Sequence, residues 1–150
     1  MTNETIEAFL LSARTKTYAG ASAKAEPLMP GSVQYDFAEG DFSYRDTYYI
    51  GNGIFPGLET VFYKGKPVWS MSYYGDFSMM TEEQADTMLR RALTDLWQTT
   101  RMYSHVEKDY TDFRYLCEGN GSLEKLDGTE EIWVGNNEVF HFYYAGGLIG

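Results

Sequence analysis

The chain is poor in the residues that most often carry metals, disulfides and membrane spans. Its one cysteine, Cys117, can form no intrachain disulfide and no cysteine cluster for zinc. Histidine occurs twice, at His105 and His141, in no spacing typical of a metal site, so neither a metal nor another cofactor is expected. Basic residues are outnumbered, with 12 Lys and Arg against 22 Asp and Glu for a net charge of −10. That balance argues against binding a nucleic acid backbone, which requires clustered cations to release counterions. No apolar run approaches the roughly 18 to 20 residues that span a bilayer. The first residues also lack a basic stretch followed by an apolar one. A cytoplasmic protein with no membrane partner is the expectation.

What is abundant is aromatic: thirteen Tyr, nine Phe and three Trp. With 150 residues this favours one folded β-rich domain over disorder. Two amphipathic helices are legible. In the first, Ile6, Phe9, Leu10 and Ala13 recur at helical spacing behind Asn3 as N-cap. In the second, Thr81 and Gln84 fit a capping box, and Ala85, Met88, Leu89, Ala92, Leu93 and Leu96 hold the period. Elsewhere the period drops to two. Strands are predicted at about 32–38, 41–49, 58–63 and 66–74, with hairpin turns at Glu39-Gly40 and Lys64-Gly65. A second strand-rich region spans 108–145, with turns at Asn120-Gly121, Asp127-Gly128 and Gly135-Asn136.

The two regions resemble each other at a constant offset of 71 residues. Asp41, Phe42, Tyr44, Gly57, Glu59, Val68, Tyr73 and Gly75 recur as Asp112, Phe113, Tyr115, Gly128, Glu130, Val139, Tyr144 and Gly146. Chance similarity between Tyr- and Gly-rich hairpins is the plain alternative. The ungapped match, with Pro56-Gly57 over Asp127-Gly128 and Lys64-Gly65 over Gly135-Asn136, favours an internal repeat. The expected fold is α+β: two pseudo-repeated antiparallel four-stranded meanders, about 1–76 and 77–150, each associated with one helix.

The phrases FLLSARTKTYAG (9–20), EGDFSYRDTYYIG (39–51), PGLETVFYKGKPVWSMSYYG (56–75) and HFYYAGG (141–147) carry a family resemblance. The chain resembles the bacterial and phage domain of unknown function 5680. Members of that family often follow a helix-turn-helix DNA-binding domain, so the resemblance implies a sensing or regulatory module. No helix-turn-helix is legible here, which suits a sequestering protein or a separate subunit.

Candidate site residues come from strand faces. Trp69, Met71 and Tyr73 alternate with Ser70, Ser72 and Tyr74, and the copy sets Phe140, Phe142 and Tyr144 against His141 and Tyr143. The large apolar set reads as core. Ser70, Ser72, Tyr74, His141 and Tyr143 can form a polar ligand face. On the strand 41–49, Tyr44, Asp46 and Tyr48 share one side and Arg45 lies on the other. Tyrosine combines a flat apolar ring with a hydroxyl, which suits bases and other flat polar ligands, although cross-strand Tyr ladders also stiffen sheets. Arg45, Arg101 and Arg114 can each pair with a phosphate or carboxylate, or form surface salt bridges. Glu59 and Glu130 hold equivalent places, either together as a carboxylate pair or separately beside turns.

Catalysis is the weaker reading. A Cys117-His pair competes with the usual inert buried cysteine, and a hydrolase acting through His141 is the remaining enzymatic possibility. The leading expectation is a non-catalytic sensor or sequestering domain for a small polar, nucleotide-like ligand, such as a host immune signal captured by a phage protein. The alternative is an acidic interaction or inhibitor module that meets a basic protein partner or a second copy of itself.

Overall fold

A computed structural model describes residues 1–18 and 24–150; Ala19 and Gly20, which end the first family-like phrase, lie outside the described residues. Helix α1 spans Asn3–Tyr18 and buries the predicted stripe of Ile6, Phe9, Leu10 and Ala13, together with Arg14 and Thr17. Its cap is Thr2 rather than Asn3. Thr2 Oγ1 accepts from the Thr5 N–H at 3.2 Å, and Thr5 Oγ1 accepts from the Thr2 N–H at 2.9 Å. Helix α2, Glu82–Leu96, starts with the predicted capping box. Thr81 Oγ1 accepts from Gln84 N at 3.1 Å and Gln84 Oε1 accepts from Thr81 N at 3.0 Å. A cap of this kind contributes about 1 kcal/mol.

The strands are β1 (Lys24–Ala25), β2 (Val33–Glu39), β3 (Phe42–Tyr48), β4 (Ile54–Tyr63) and β5 (Lys66–Asp76) before α2. After it come β6 (His105–Asp109), β7 (Arg114–Ser122), β8 (Lys125–Val134) and β9 (Asn137–Leu148). They form one nine-stranded sheet in the order β1-β2-β3-β4-β5-β9-β8-β7-β6. All pairings are antiparallel. The mostly antiparallel, two-helix architecture agrees with the α+β expectation, but the two separate meanders do not exist. Their last strands, β5 and β9, pair along Trp69–Asp76 and His141–Leu148 and merge the halves. The reason is the cost of an unpaired strand edge, which each meander would otherwise expose. Gly146 permits the close approach, since a Cβ there would lie 2.1 Å from the Ser70 carbonyl oxygen.

The offset of 71 survives in the register. Tyr73 stands directly opposite Tyr144 at the β5–β9 seam. Register shifts occur between Val61 and Phe62 in β4 and between Ile132 and Trp133 in β8, at the same spacing.

Three predicted turns are corrected. Asn120 and Gly121 lie in β7 and Asp127 and Gly128 in β8, with the chain reversing at Leu123-Glu124. Pro56 and Gly57 lie within β4. Gly57 and Gly128 are gaps filled by rings. A Cβ at Gly57 would sit 2.3 Å from Tyr73 Cζ, and one at Gly128 would sit 2.3 Å from Tyr144 Oη.

One face of the sheet carries Trp69, Met71, Phe140, Phe142 and Ile132 and is buried in a core shared with both helices. The other face carries the partly or fully exposed Arg45, Ser70, Ser72, Tyr74, His141 and Tyr143. Among the described residues, no helix is long and apolar enough to cross a membrane.

Candidate functional site

The candidate site is a cavity of about 300 Å³ between the helices and the β2–β5 half of the sheet. Strand alternation builds its floor. Tyr44, Asp46 and Tyr48 point to the helix side from β3, and the register sets Asp46 directly opposite Glu59 of β4. Gly57 faces Tyr73 of β5 across the next ladder, leaving room for that ring to lean over the floor. Tyr18 of α1, Trp97 at the end of α2, and Tyr35 and Phe55 complete aromatic walls. The Tyr35 and Tyr48 rings stack with centroids 6.4 Å apart, and Tyr48 meets Phe55 edge-on at 6.3 Å. Exposed Lys24, Ile50, Glu82, Asp86 and Arg90 also line it and mark the solvent side.

Under the floor runs a buried charge network. Arg14, on the apolar face of α1, donates from Nε to Glu59 at 2.9 Å, and its Nη1 reaches the carbonyls of Thr100 and Arg101 at 3.3 and 3.2 Å. Arg101 grips Glu130 with both Nε and Nη2, at 3.0 and 2.8 Å. Trp97 lies 5.3 Å from both guanidinium carbons. Tyr115 also donates to Glu130. Each buried glutamate thus has its own arginine, the arrangement that offsets the desolvation of two charges.

Asp46 is different. Its hydrogen-bond donor is the Tyr73 hydroxyl at 2.5 Å, and no cation pairs with it among the described residues. Burial, reinforced by the facing Glu59 charge and opposed by the Tyr73 bond, raises its pKa to about 7. Burial and the Asp46 charge likewise push the Tyr73 hydroxyl far above its ordinary range.

The other half of the sheet supplies a natural comparison at the same offset. Tyr115, Cys117, Glu130 and Tyr144 stand where Tyr44, Asp46, Glu59 and Tyr73 stand, and Cys117 lies opposite Glu130 in the register. There the space is closed. Tyr144 donates to the Met102 carbonyl at 2.8 Å, and a Cβ on Gly119 would lie 2.1 Å from that same oxygen. Where Gly119 admits the backbone of the α2–β6 connection, the first half has Tyr48 and a cavity.

The sequence-derived candidates therefore divide. Tyr44, Asp46, Tyr48 and Glu59 come together in the cavity. Ser70, Ser72, Tyr74, His141 and Tyr143 share the open face, where Tyr74 and Tyr143 are paired across the β5–β9 seam with centroids 6.5 Å apart. Ser70 is spent on the Glu59 carbonyl at 2.8 Å. His141 Nδ1 bonds Glu138, and its ring lies 4.4 Å from that of Tyr143. Glu131, Glu138 and His141 lie close enough together to contact one cation, although His141 Nδ1 is already engaged. Arg45 pairs with Asp36 at 2.9 Å, and Arg114 pairs with Glu107; both are surface ion pairs. Glu59 and Glu130 are neither solvated beside turns nor bonded to each other; both are buried and each is held by an arginine.

Sequence reasoning passed over Arg14 and treated Tyr73 as simple core. An arginine four residues after Leu10 on an apolar stripe was the available signal, since a cation there must find a buried partner. The Cys117 thiol is fully buried, 3.4 Å from Tyr144 Oη, and burial aided by Glu130 raises its pKa. Such a thiol is a poor nucleophile.

No curated protein and no solved structure gives a significant match to the chain. Residues 46–149 match the family described as domain of unknown function DUF5680, which takes in the end of β3 from Asp46, β4, β5, α2 and all of the second half of the sheet. The chain belongs to that family of domains of unknown function.

Proposed function

We propose that this domain is a non-catalytic binding module that holds one small, flat, polar molecule in the cavity beneath its helices, as a sensor or a sequestering protein does. The observation that carries the reading is the contrast between the halves. The same strand positions are sealed by backbone at Met102 in one and left as an aromatic cavity of about 300 Å³ in the other. Close packing is the rule in protein interiors, so a space walled by rings and floored by a carboxylate suits an occupant.

The volume limits that occupant to one or two rings, the size of a nucleobase or small nucleoside. Both buried arginines are committed, Arg101 bidentately to Glu130 and Arg14 to Glu59 and two backbone carbonyls, which disfavours recognition of a phosphate inside the cavity. A nucleotide-like ligand is therefore read through its base.

Thermal melts against nucleobases, nucleosides, cyclic dinucleotides and ADP-ribose at millimolar concentration test the reading. A base or nucleoside present at 100 times its Kd stabilises by about 2.7 kcal/mol, and Ala85→Phe, which places a ring in the cavity wall, abolishes that gain. Stabilisation by none of these compounds would overturn the nucleotide-like reading, and binding indifferent to the filled cavity would overturn the cavity as the site.

A further inference from the structure

Resting on the cavity as a ligand site, we infer that its occupant is a flat molecule bearing a protonated nitrogen, paired with Asp46. The carboxylates on the helix side of the sheet, two buried and one half-buried, show one pattern and one exception. Glu59 has Arg14 and Glu130 has Arg101, both with little or no solvent exposure. Asp46, the third carboxylate, has the Tyr73 hydroxyl alone. It also faces Glu59 directly across the β3–β4 ladder, a like-charge placement that is costly unless a cation is near.

The cations around Asp46, Arg14 and Arg101 behind the floor and Lys24 and Arg90 at the solvent side, favour its charge from a distance or line the same cavity, but among the described residues none of them hydrogen-bonds it. Tyr44 and Tyr48 flank it on β3, and Glu59 and Tyr73 oppose it from β4 and β5. Arg14 of α1 is spent on Glu59 and on two backbone carbonyls, and Arg101 of the α2–β6 connection grips Glu130 bidentately. At the solvent side, Arg90 of α2 bonds Asp86 and the Tyr18 carbonyl. The residues lining the cavity include four acids and three bases, one acid in excess.

The walls fit the same occupant. Ring faces are negative, and a cation held against Tyr or Phe gains attraction that grows as water is removed. Tyr35, Tyr48, Phe55 and Tyr73 present such rings around the carboxylate. An amidine, guanidine or protonated heterocycle would set its N–H groups on Asp46 and its plane among the rings. An anion of the same shape would meet the Asp46 carboxylate, whose one hydrogen bond comes from the Tyr73 hydroxyl. Because Asp46 holds its proton up to about pH 7 in the empty cavity, a permanent cation must displace that proton. Affinity then rises with pH below about 7 and levels off above it.

The test is calorimetric titration of the full chain with 2-naphthamidine, its neutral analogue 2-naphthamide and the anion 2-naphthoate, at about pH 8 and again at about pH 6. The expected result is saturable binding of the amidine, at least about tenfold tighter than the amide, with no binding of the carboxylate. The amidine should bind about tenfold more weakly at the lower pH, with proton release seen as a dependence of the heat on buffer ionisation. Asp46→Asn should remove the preference for the amidine over the amide. The charge series itself is read on the unaltered chain and does not depend on that variant folding.

Equal or tighter binding of the amide or the carboxylate would overturn the cationic assignment and leave the cavity as a ligand site. Binding of none of the three compounds, together with no stabilising nucleobase or nucleoside, would remove the ligand cavity and this inference together. A preference for the amidine that survives Asp46→Asn would assign the cation to another group and refute the pairing.

Discussion

Replacing Arg101 with methionine isolates the strongest structural commitment in the molecule. Arg101 is 5% exposed and Glu130 is fully buried, and two guanidinium hydrogen bonds join them at 3.0 and 2.8 Å. Methionine fills much of the space beside Trp97 and Phe142 but leaves Glu130 with only the Tyr115 hydroxyl. An uncompensated buried carboxylate costs about 3–5 kcal/mol when its partner is removed. Against the ~5–15 kcal/mol that holds an ordinary domain together, that is a large fraction. At about 2–4 °C per kcal/mol for a chain of this size, the melting temperature should fall by about 6–20 °C. The backbone is not the cause, because methionine inherits the same left-handed φ of 55°. Arg101→Met combined with Glu130→Met removes both charges, leaves Tyr115 bonded to Thr100 Oγ1 at 2.5 Å, and should recover most of the loss. Urea denaturation followed by circular dichroism measures the cycle. A single replacement costing under about 1 kcal/mol, or a double variant as unstable as the sum of its parts, would refute the account of a paired buried charge.

Asp46→Asn should be nearly neutral in acid and stabilising in base. The folded pKa of about 7 lies above the ordinary 3.8, so the native state loses stability as pH rises between those values. Thermal melts at about pH 4 and pH 8 check the sign, and a larger gain at the acid end would contradict it. Gly57→Ala should cost about 1–3 kcal/mol and break the Tyr73–Asp46 bond, because the new methyl would overlap the Tyr73 ring. An unchanged urea midpoint would show that the ring does not need the gap. Cys117 should resist a maleimide in the native protein and react after unfolding, since it is fully buried with a raised pKa. Prompt labelling without denaturant would place the thiol elsewhere.

Much of the scaffold was legible from local pattern. The apolar stripe of α1, the Thr81–Gln84 box of α2 and the alternation along β5 and β9 each depend on residues within a few positions of one another. The misreadings share a cause. Gly57, Gly121 and Gly128 resemble turn glycines in a linear string, but each lies within a strand at a point where a ring or a neighbouring backbone comes close. Glu59 was expected in solvent or beside Glu130, because nothing local announces that Arg14, 45 residues earlier, reaches it. Half the candidate site was found, since Tyr44, Asp46 and Tyr48 share a parity; the open-face group shares one too and lies on the far side of the sheet.

The amino-acid sequence by itself determined the helices, most of the strands and the offset of 71 that links VWSMSYYG to VFHFYYAG, because periodicity and capping act over short distances. Only the tertiary structure decided that these two stretches lie side by side at the centre of one sheet, with Tyr73 against Tyr144. It also decided which differences between the halves bear on the cavity. Ser70 against His141 and Ser72 against Tyr143 fall on the open face, whereas Asp46 against Cys117 falls under the helices. There one half closes on a backbone carbonyl and the other keeps a cavity with an unpaired carboxylate. Which strand face is covered depends on where two distant helices pack, and alternation is blind to that choice.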